Sequence, residues 1–316
     1  MVKLLTVITL VPVLLAVTAA FVMRQSSSTT VRRFAGTMDP FHAKKDPTET
    51  MRAVLYDVKD GVSRLYLDPS APRPVIKKRQ LLIKVVASSL NPVDFKFKRN
   101  APLVPSLIIP KPKIPGLDVS GVVVERGEEV GSEWAVGDHV VAMLPLLMTP
   151  WGAFAEYVAV DASLVARVDV PIRQHTDDES GRMSLEDAAS LPLVGLTVFQ
   201  ALQKAVDYER RNHQGADTSA PLQGKKILIQ AGAGGVGTFA IQYAKHVLGM
   251  HVATTASTGK SDFLKSLGAD IVIDYRSTNF EDVIKDYDVV LDAMSWLYEA
   301  RTLSSSVLKP SGHYIR

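Results

Sequence analysis

Residues Lys225 to Gly249 read KKILIQAGAGGVGTFAIQYAKHVLG. The apolar run Ile227, Leu228, Ile229 is consistent with a buried parallel strand. It leads directly into Gly232-Ala233-Gly234-Gly235-Val236-Gly237, a G-x-G-x-x-G turn. Val236, Phe239, Ala240, Ala244 and Val247 then follow at helical spacing, and Gly249 supplies the usual helix stop. Glycine-rich turns also occur merely to redirect the chain, but this one has the strand before it and the helix after it. In that context the backbone of Gly232, Gly234, Gly235, Val236 and Gly237 can approach a pyrophosphate closely, with the positive end of the helix aimed at it. The stretch predicts a dinucleotide site across the end of a doubly wound parallel sheet.

The rest of the composition sets bounds around that site. A chain of 316 residues, 47% apolar and 22% charged, is long enough for about two domains with real cores. The net charge of +3 and the absence of a basic stripe interleaved with aromatics argue against nucleic-acid partners. The chain has no cysteine, which removes disulfides, thiol nucleophiles and cysteine-containing zinc sites together. Its seven histidines are scattered, with no HExxH spacing, so no metal-ligand set is expected.

The first 45 residues read as targeting sequence. Lys3 precedes an apolar run from Leu4 to Met23, and Thr18-Ala19-Ala20 offers small residues for cleavage before Phe21. From Phe21 to Thr37 there are three arginines, many Ser and Thr residues and no acid. A signal followed by such a tract resembles the bipartite plastid presequence of algae with secondary plastids, with import into a plastid as the implication. About 20 apolar residues also suffice for an uncleaved signal anchor in the endoplasmic reticulum or another membrane, and a mitochondrial destination fits less well.

From Met51 the pattern is short strands and turns, with strands expected over Arg52 to Tyr56, Leu81 to Ala87, Val119 to Glu125, His139 to Ala142 and Ala153 to Val160. Ser184 to Lys204 reads as helix, opened by Ser184 and Asp187 in S-x-x-D spacing and interrupted at Pro192 and Gly195. The polar segment Asp207 to Gln223 reads as a surface loop. Beyond it, strands alternate with helices: Ile227 to Gln230, His251 to Thr255, Ile271 to Ile273, Val289 to Leu291 and His313 to Ile315. The pattern reaches its fifth strand at Arg316 with nothing to follow, so the chain is expected to be C-terminally incomplete.

The β-rich unit with Asn91-Pro92-Val93-Asp94, followed by Ala231 to Gly237, resembles the medium-chain dehydrogenase/reductase superfamily, in its zinc-free quinone oxidoreductase branch. Pro115 to Gly121, Gly137 to Val141, Leu191 to Thr197, Leu267 to Asp270 and Asp274-Tyr275 extend the likeness from about Met51 to the C-terminus. The resemblance implies an α/β protein: a β-rich GroES-like catalytic domain over residues 46 to 183 and an NADP-binding Rossmann domain over residues 184 to 316. Zinc enzymes of the superfamily hold metal with a Cys near the position of Asn91 and a His-Glu pair where this chain has Leu117-Asp118. Leu is no metal ligand, so the implied reaction is one in which hydride transfer suffices or a side chain polarises the acceptor oxygen. Quinones and α,β-unsaturated carbonyls meet that condition.

Individual positions carry further expectations. About 20 residues beyond the glycines, where NAD enzymes need an acid, the chain reads Thr254 to Lys260. Ser257 and Lys260 offer donors to a 2′-phosphate, and the resemblance adds Tyr275, so NADPH is expected over NADH. The competing reading makes Lys260 a solvated residue and Tyr275 a packing aromatic. The resemblance places Asn91 and Asp94 beside the nicotinamide and Lys96 near the substrate carbonyl, although Lys96 with Lys98 also fits a solvated face. Thr197 matches a Thr near the nicotinamide ribose, or else bonds its own backbone. Ser295 stands where relatives usually have Gly near the nicotinamide. The expected partners are a quinone or enone substrate and, in the full-length form, a second copy of the chain. Membrane contact would come only from an uncleaved N-terminal segment or peripheral association. A non-catalytic NADPH-binding or interaction protein, and an enoyl reductase of a larger synthase, are the alternatives.

Overall fold

The computed structural model describes residues 49–59, 62–94, 113–145, 152–168, 183–212, 220–294, 299–303 and 305–316. The expected targeting segment, Lys96, Lys98 and Ser295 lie outside them. The described residues fall into two compact units, one ending at Leu193 and the other running from Val194 to Arg316.

The first unit is built of strands. β1 (Thr50–Lys59) and β2 (Val62–Pro72) form an antiparallel pair. β3 (Gln80–Ala87), β4 (Asp118–Arg126), β5 (His139–Met143), β6 (Tyr157–Asp161) and β7 (Val165–Arg167) form a five-stranded antiparallel sheet in the order β6-β3-β4-β5-β7. Leu81, Ile83, Val119, Val123, Val140 and Val158 point to one core and are fully buried. Each such side chain contributes about 1.5–3 kcal/mol of burial energy. The strand expected over Ala153 to Val160 begins only at Tyr157, and Ala155 makes a single bridge to Ala53. β2 is absent from the sequence expectation because Leu65, Tyr66 and Leu67 are consecutive, giving no alternation of apolar and polar residues to read; all three are exposed.

Ser184 and Asp187 form the expected capping box at the start of α1 (Leu185–Ala188). Ser184 Oγ accepts from Asp187 N at 3.0 Å, and Asp187 Oδ2 accepts from Ser184 N at 3.2 Å. The chain then breaks and restarts as α2 (Pro192–Asn212), with Pro at the first helical position, where its missing N–H costs nothing. Gly195 does not interrupt this helix. A Cβ there would stand 3.2 Å from the Phe239 ring, so the glycine allows a close approach. The expected loop from Asp207 is corrected at its start, because α2 continues through Asn212. Gln203 Nε2 donates to Asp207 one turn on, buried Glu209 pairs with Lys225 at 3.0 Å, and Arg210 and Arg211 favour the helix C-terminus.

The second unit holds a parallel sheet of β8 (Lys226–Ile229), β9 (His251–Ala256), β10 (Ile271–Asp274), β11 (Tyr287–Leu291) and β12 (Leu308–Ile315). Its order, β10-β9-β8-β11-β12, reverses direction beside β8, where doubly wound sheets place their ligands. The helical segments between strands are α3 (Gly235–Gln242), finishing in a π turn over Tyr243–Val247, then α4 (Ser261–Ser266), α5 (Phe280–Val283) and α6 (Glu299–Leu303). Leu228, Ala253, Ile273, Phe280, Tyr287 and Val290 form the core on one side of the sheet. Among the described residues no helix is long and apolar enough to cross a membrane.

Candidate functional site

The three motif glycines have three different surroundings. A Cβ on Gly232 would lie 2.0 Å from Thr254 Oγ1, so this glycine lets the turn press onto β9. Gly232 N donates to Thr255 O at 2.9 Å and Ala231 N to Thr255 Oγ1 at 3.1 Å, locking the turn to the strand end. A Cβ on Gly237 would meet Ala231 O at 2.3 Å, so only glycine lets α3 start this close to the turn. Gly234 faces open space, with only Ala231 O at 3.4 Å. Ala231 takes up the reversal with φ of 58°, a conformation L-residues rarely adopt.

Gly234 is the N-cap of α3 and has no side chain to satisfy the first N–H groups. Those of Gly235, Val236 and Gly237 have no intrahelical acceptor by construction. An uncapped helix end beside an open glycine is a cradle for an anion, and it fits a dinucleotide pyrophosphate.

The next two strand ends lie beside this turn. Asp274 pairs with Ala256 in register, and Tyr275 N donates to Ala256 O at 3.2 Å, which brings Tyr275 next to Ser257. Lys260 N donates to Ser257 O at 3.3 Å, closing the loop that carries both. Tyr275 is 49% exposed, so it is no core aromatic. Asp274 does not face outward as a free acid. It accepts from Thr258 Oγ1 at 2.6 Å and from Arg276 N at 3.0 Å, and these bonds, Thr258 first, hold its carboxyl below the usual range.

In the first unit Asn91 is buried, and its Nδ2 donates to Asp118 Oδ2 at 2.8 Å and to Ser89 Oγ at 3.1 Å. Asp94 caps the single turn at 92–94, accepting from Asn91 N at 2.8 Å. Thr197 lies exposed on α2. Two groups escaped the sequence reading. Asp118, fully buried, accepts from Ser89 Oγ at 2.6 Å, Asn91 Nδ2 at 2.8 Å and Leu193 N at 2.8 Å. Burial pushes its carboxyl up, while these donors oppose the shift. An acid opening the aliphatic run Val119 to Val124 was the available signal. The second, Lys113, is half-buried, and desolvation lowers its ammonium pKa against the opposing charge of Asp94. Among the described residues no group of three or more His, Asp or Glu side chains is placed to hold a metal.

Residues 77–170 match the family model of the alcohol dehydrogenase GroES-like domain, and residues 235–315 match that of the zinc-binding dehydrogenase. The quinone oxidoreductase of Coxiella burnetii superposes with a TM-score of 0.63 at 31% identity, over 84% of this chain and 75% of that one. The chain belongs to the medium-chain dehydrogenase/reductase superfamily, in its quinone oxidoreductase branch. It is 41% identical over 253 residues to 2-methylene-furan-3-one reductase of Solanum lycopersicum, a match covering 78% of this chain and 58% of that protein. It is 40% identical over 249 residues to the chloroplastic NADPH-dependent alkenal/one oxidoreductase of Arabidopsis thaliana, covering 77% and 57%. The chain therefore spans less than two thirds of the length of these two plant relatives.

Proposed function

We propose that this protein is a zinc-independent, NADPH-dependent oxidoreductase that reduces quinones or α,β-unsaturated carbonyls. The observation that carries the reading is the uncapped start of α3 beside open Gly234, with Ser257, Lys260 and Tyr275 gathered at the two neighbouring strand ends. The N–H groups of Gly235, Val236 and Gly237 hold the pyrophosphate. Ser257, Lys260 and Tyr275 hold the 2′-phosphate, which an Asp or Glu at this place would repel. When bound, NADPH supplies a hydride to the electrophilic carbon of the acceptor, and the resulting oxyanion takes its proton from solvent. Lys96 stabilises that oxyanion, and Asn91, Asp94 and Thr197 shape the surroundings of the nicotinamide. Family membership and the activities for which the two plant relatives are named support this reading.

The test is NADPH oxidation by the full-length protein with 1,4-naphthoquinone and trans-2-hexenal, with and without a chelator. Turnover with at least one acceptor, unchanged by chelation, is expected. Tight NADPH binding without turnover would favour a binding protein of the same fold. Import into a plastid is part of the proposal, supported by the acid-free Arg/Ser/Thr tract and the chloroplastic Arabidopsis relative. A reporter carrying Met1 to Lys45 would reach the plastid; retention in the endoplasmic reticulum with an intact N-terminus would overturn that part.

A further inference from the structure

We infer that Asp118 is a positioning residue for the proposed reaction, a buried carboxylate that fixes the Asn91–Asp94 turn to the first turn of α2. The inference rests on the oxidoreductase reading for its catalytic consequence, while the coupling itself stands on geometry.

Asp118 has no exposed surface. Taking a carboxylate out of water is strongly unfavourable unless its oxygens are satisfied. Here the two oxygens serve different segments. Oδ2 takes Ser89 Oγ at 2.6 Å and Asn91 Nδ2 at 2.8 Å, and Oδ1 takes Leu193 N at 2.8 Å. Leu193 is the second residue of α2, so its N–H is one of the orphan donors of the helix start, where a negative charge is also favoured by the helix dipole. Ser88 Oγ adds a bond to the Asp118 carbonyl at 2.6 Å, so the segment before Asn91 is held at both the side chain and the backbone of one residue.

The consequence concerns Asn91. Its amide donates to Ser89 and Asp118, so its side chain is committed inward and it acts through the clamp. Asp94 is held in turn by Asn91 N at 2.8 Å, and its own N–H donates to Asn91 O at 3.0 Å. A shift of the carboxylate therefore moves Asn91, then Asp94, and releases the N–H of Leu193. A neutral amide at position 118 cannot accept all three donors, because one of its two atoms is itself a donor.

The test compares the full-length wild type with Asp118→Asn and with the exchange pair Asn91→Asp/Asp118→Asn, which restores donor–acceptor matching. In Asp118→Asn, amide hydrogen exchange is expected to rise by about tenfold in residues 88–94 and at Leu193 together. The kcat with 1,4-naphthoquinone is expected to fall by about 10²-fold, the cost of a misplacement near 1 Å, with the Kd for NADPH nearly unchanged. The exchange pair is expected to recover most of the lost protection from exchange. Faster exchange at 88–94 alone overturns the coupling, and an unchanged kcat in the folded variant overturns the catalytic consequence. If Asp118→Asn does not fold, Ser89→Ala carries the test: exchange must still rise at Leu193, which Ser89 does not touch, and no rise there overturns the coupling. A wild type inactive with both acceptors would remove the oxidoreductase reading and the catalytic consequence with it, while hydrogen exchange would still decide the coupling.

Discussion

The phenol of Tyr314 donates to Asp292 Oδ2 at 2.5 Å, tying β12 to the end of β11. Asp292 is buried and also accepts from Met294 N at 2.7 Å, while its own N–H donates to Ile315 O at 2.8 Å. Burial, then the bond to the Asp292 carboxylate, pushes the Tyr314 pKa far above that of a free phenol. Removing the hydroxyl in Tyr314→Phe is expected to cost about 1.5 kcal/mol, the low end for a bond to a charged acceptor, because Tyr314 is only half-buried. Urea denaturation at pH 7 measures it.

The same bond gives a pH dependence with a definite sign. The folded pKa of Tyr314 lies above the unfolded value of about 10, so the stability it contributes is complete below that value and declines as pH rises toward the folded pKa. Between pH 8 and 11 the stability difference between wild type and Tyr314→Phe should narrow only above about pH 10. Tyr243 and Tyr287, whose burial also raises their pKa values, are common to both proteins and cancel. A difference flat across that range would mean that the hydroxyl does not depend on Asp292.

Lys260→Ala is expected to weaken NADPH binding by about 1.5–3 kcal/mol, the value of a bond between charged groups, and to leave NADH nearly untouched. Fluorescence titration with both cofactors measures this. Equal losses for the two would mean that Lys260 supports the loop rather than the 2′-phosphate.

Lys96→Met keeps the length of the side chain and removes its charge. If Lys96 stabilises negative charge on the acceptor oxygen, kcat on enals should fall by about 10²–10³-fold with little change in the Kd for NADPH. An unchanged kcat would return Lys96 to a solvated face.

What was legible in the sequence followed from patterns that physics keeps local. The apolar run Ile227 to Ile229 gave its strand within a residue, and the Ser184–Asp187 capping box formed as spaced. Gly232 to Gly237 sit in the strand–turn–helix context their spacing required. What escaped depended on contacts distant in the chain. Asp118 stands out only as an acid opening an aliphatic run, and its role stays hidden until Asn91 and Leu193 are brought to it, 27 and 75 residues away. The continuation of α2 past Asp207 has a similar cause, since polar composition suggested a loop while the Lys225–Glu209 pair holds a helix. β2 was hidden because its large apolar residues, Leu65, Tyr66 and Leu67, are consecutive and exposed, so no alternation marks the strand.

The glycine turn supplies the sharpest separation between folding and binding. In Gly237→Ala the new methyl would meet Ala231 O at 2.3 Å and Gly232 Cα at 2.7 Å, both backbone atoms that cannot swing aside. The variant is expected to lose about 2–3 kcal/mol of stability, as overpacking does, and NADPH affinity with it. Gly234 has φ of −80° and ψ of 168°, open to any L-residue, and its methyl would meet only Ala231 O at 3.4 Å. Gly234→Ala should therefore stay within about 0.5 kcal/mol of wild type in stability. Its methyl would nevertheless occupy the open side of the turn proposed for the pyrophosphate, so the Kd for NADPH should rise by about tenfold or more, as the close approach at this glycine requires. Thermal denaturation and cofactor titration on the same two proteins read the two effects apart. A Gly234→Ala protein that binds NADPH like the wild type would show that the pyrophosphate does not lie against this face of the turn.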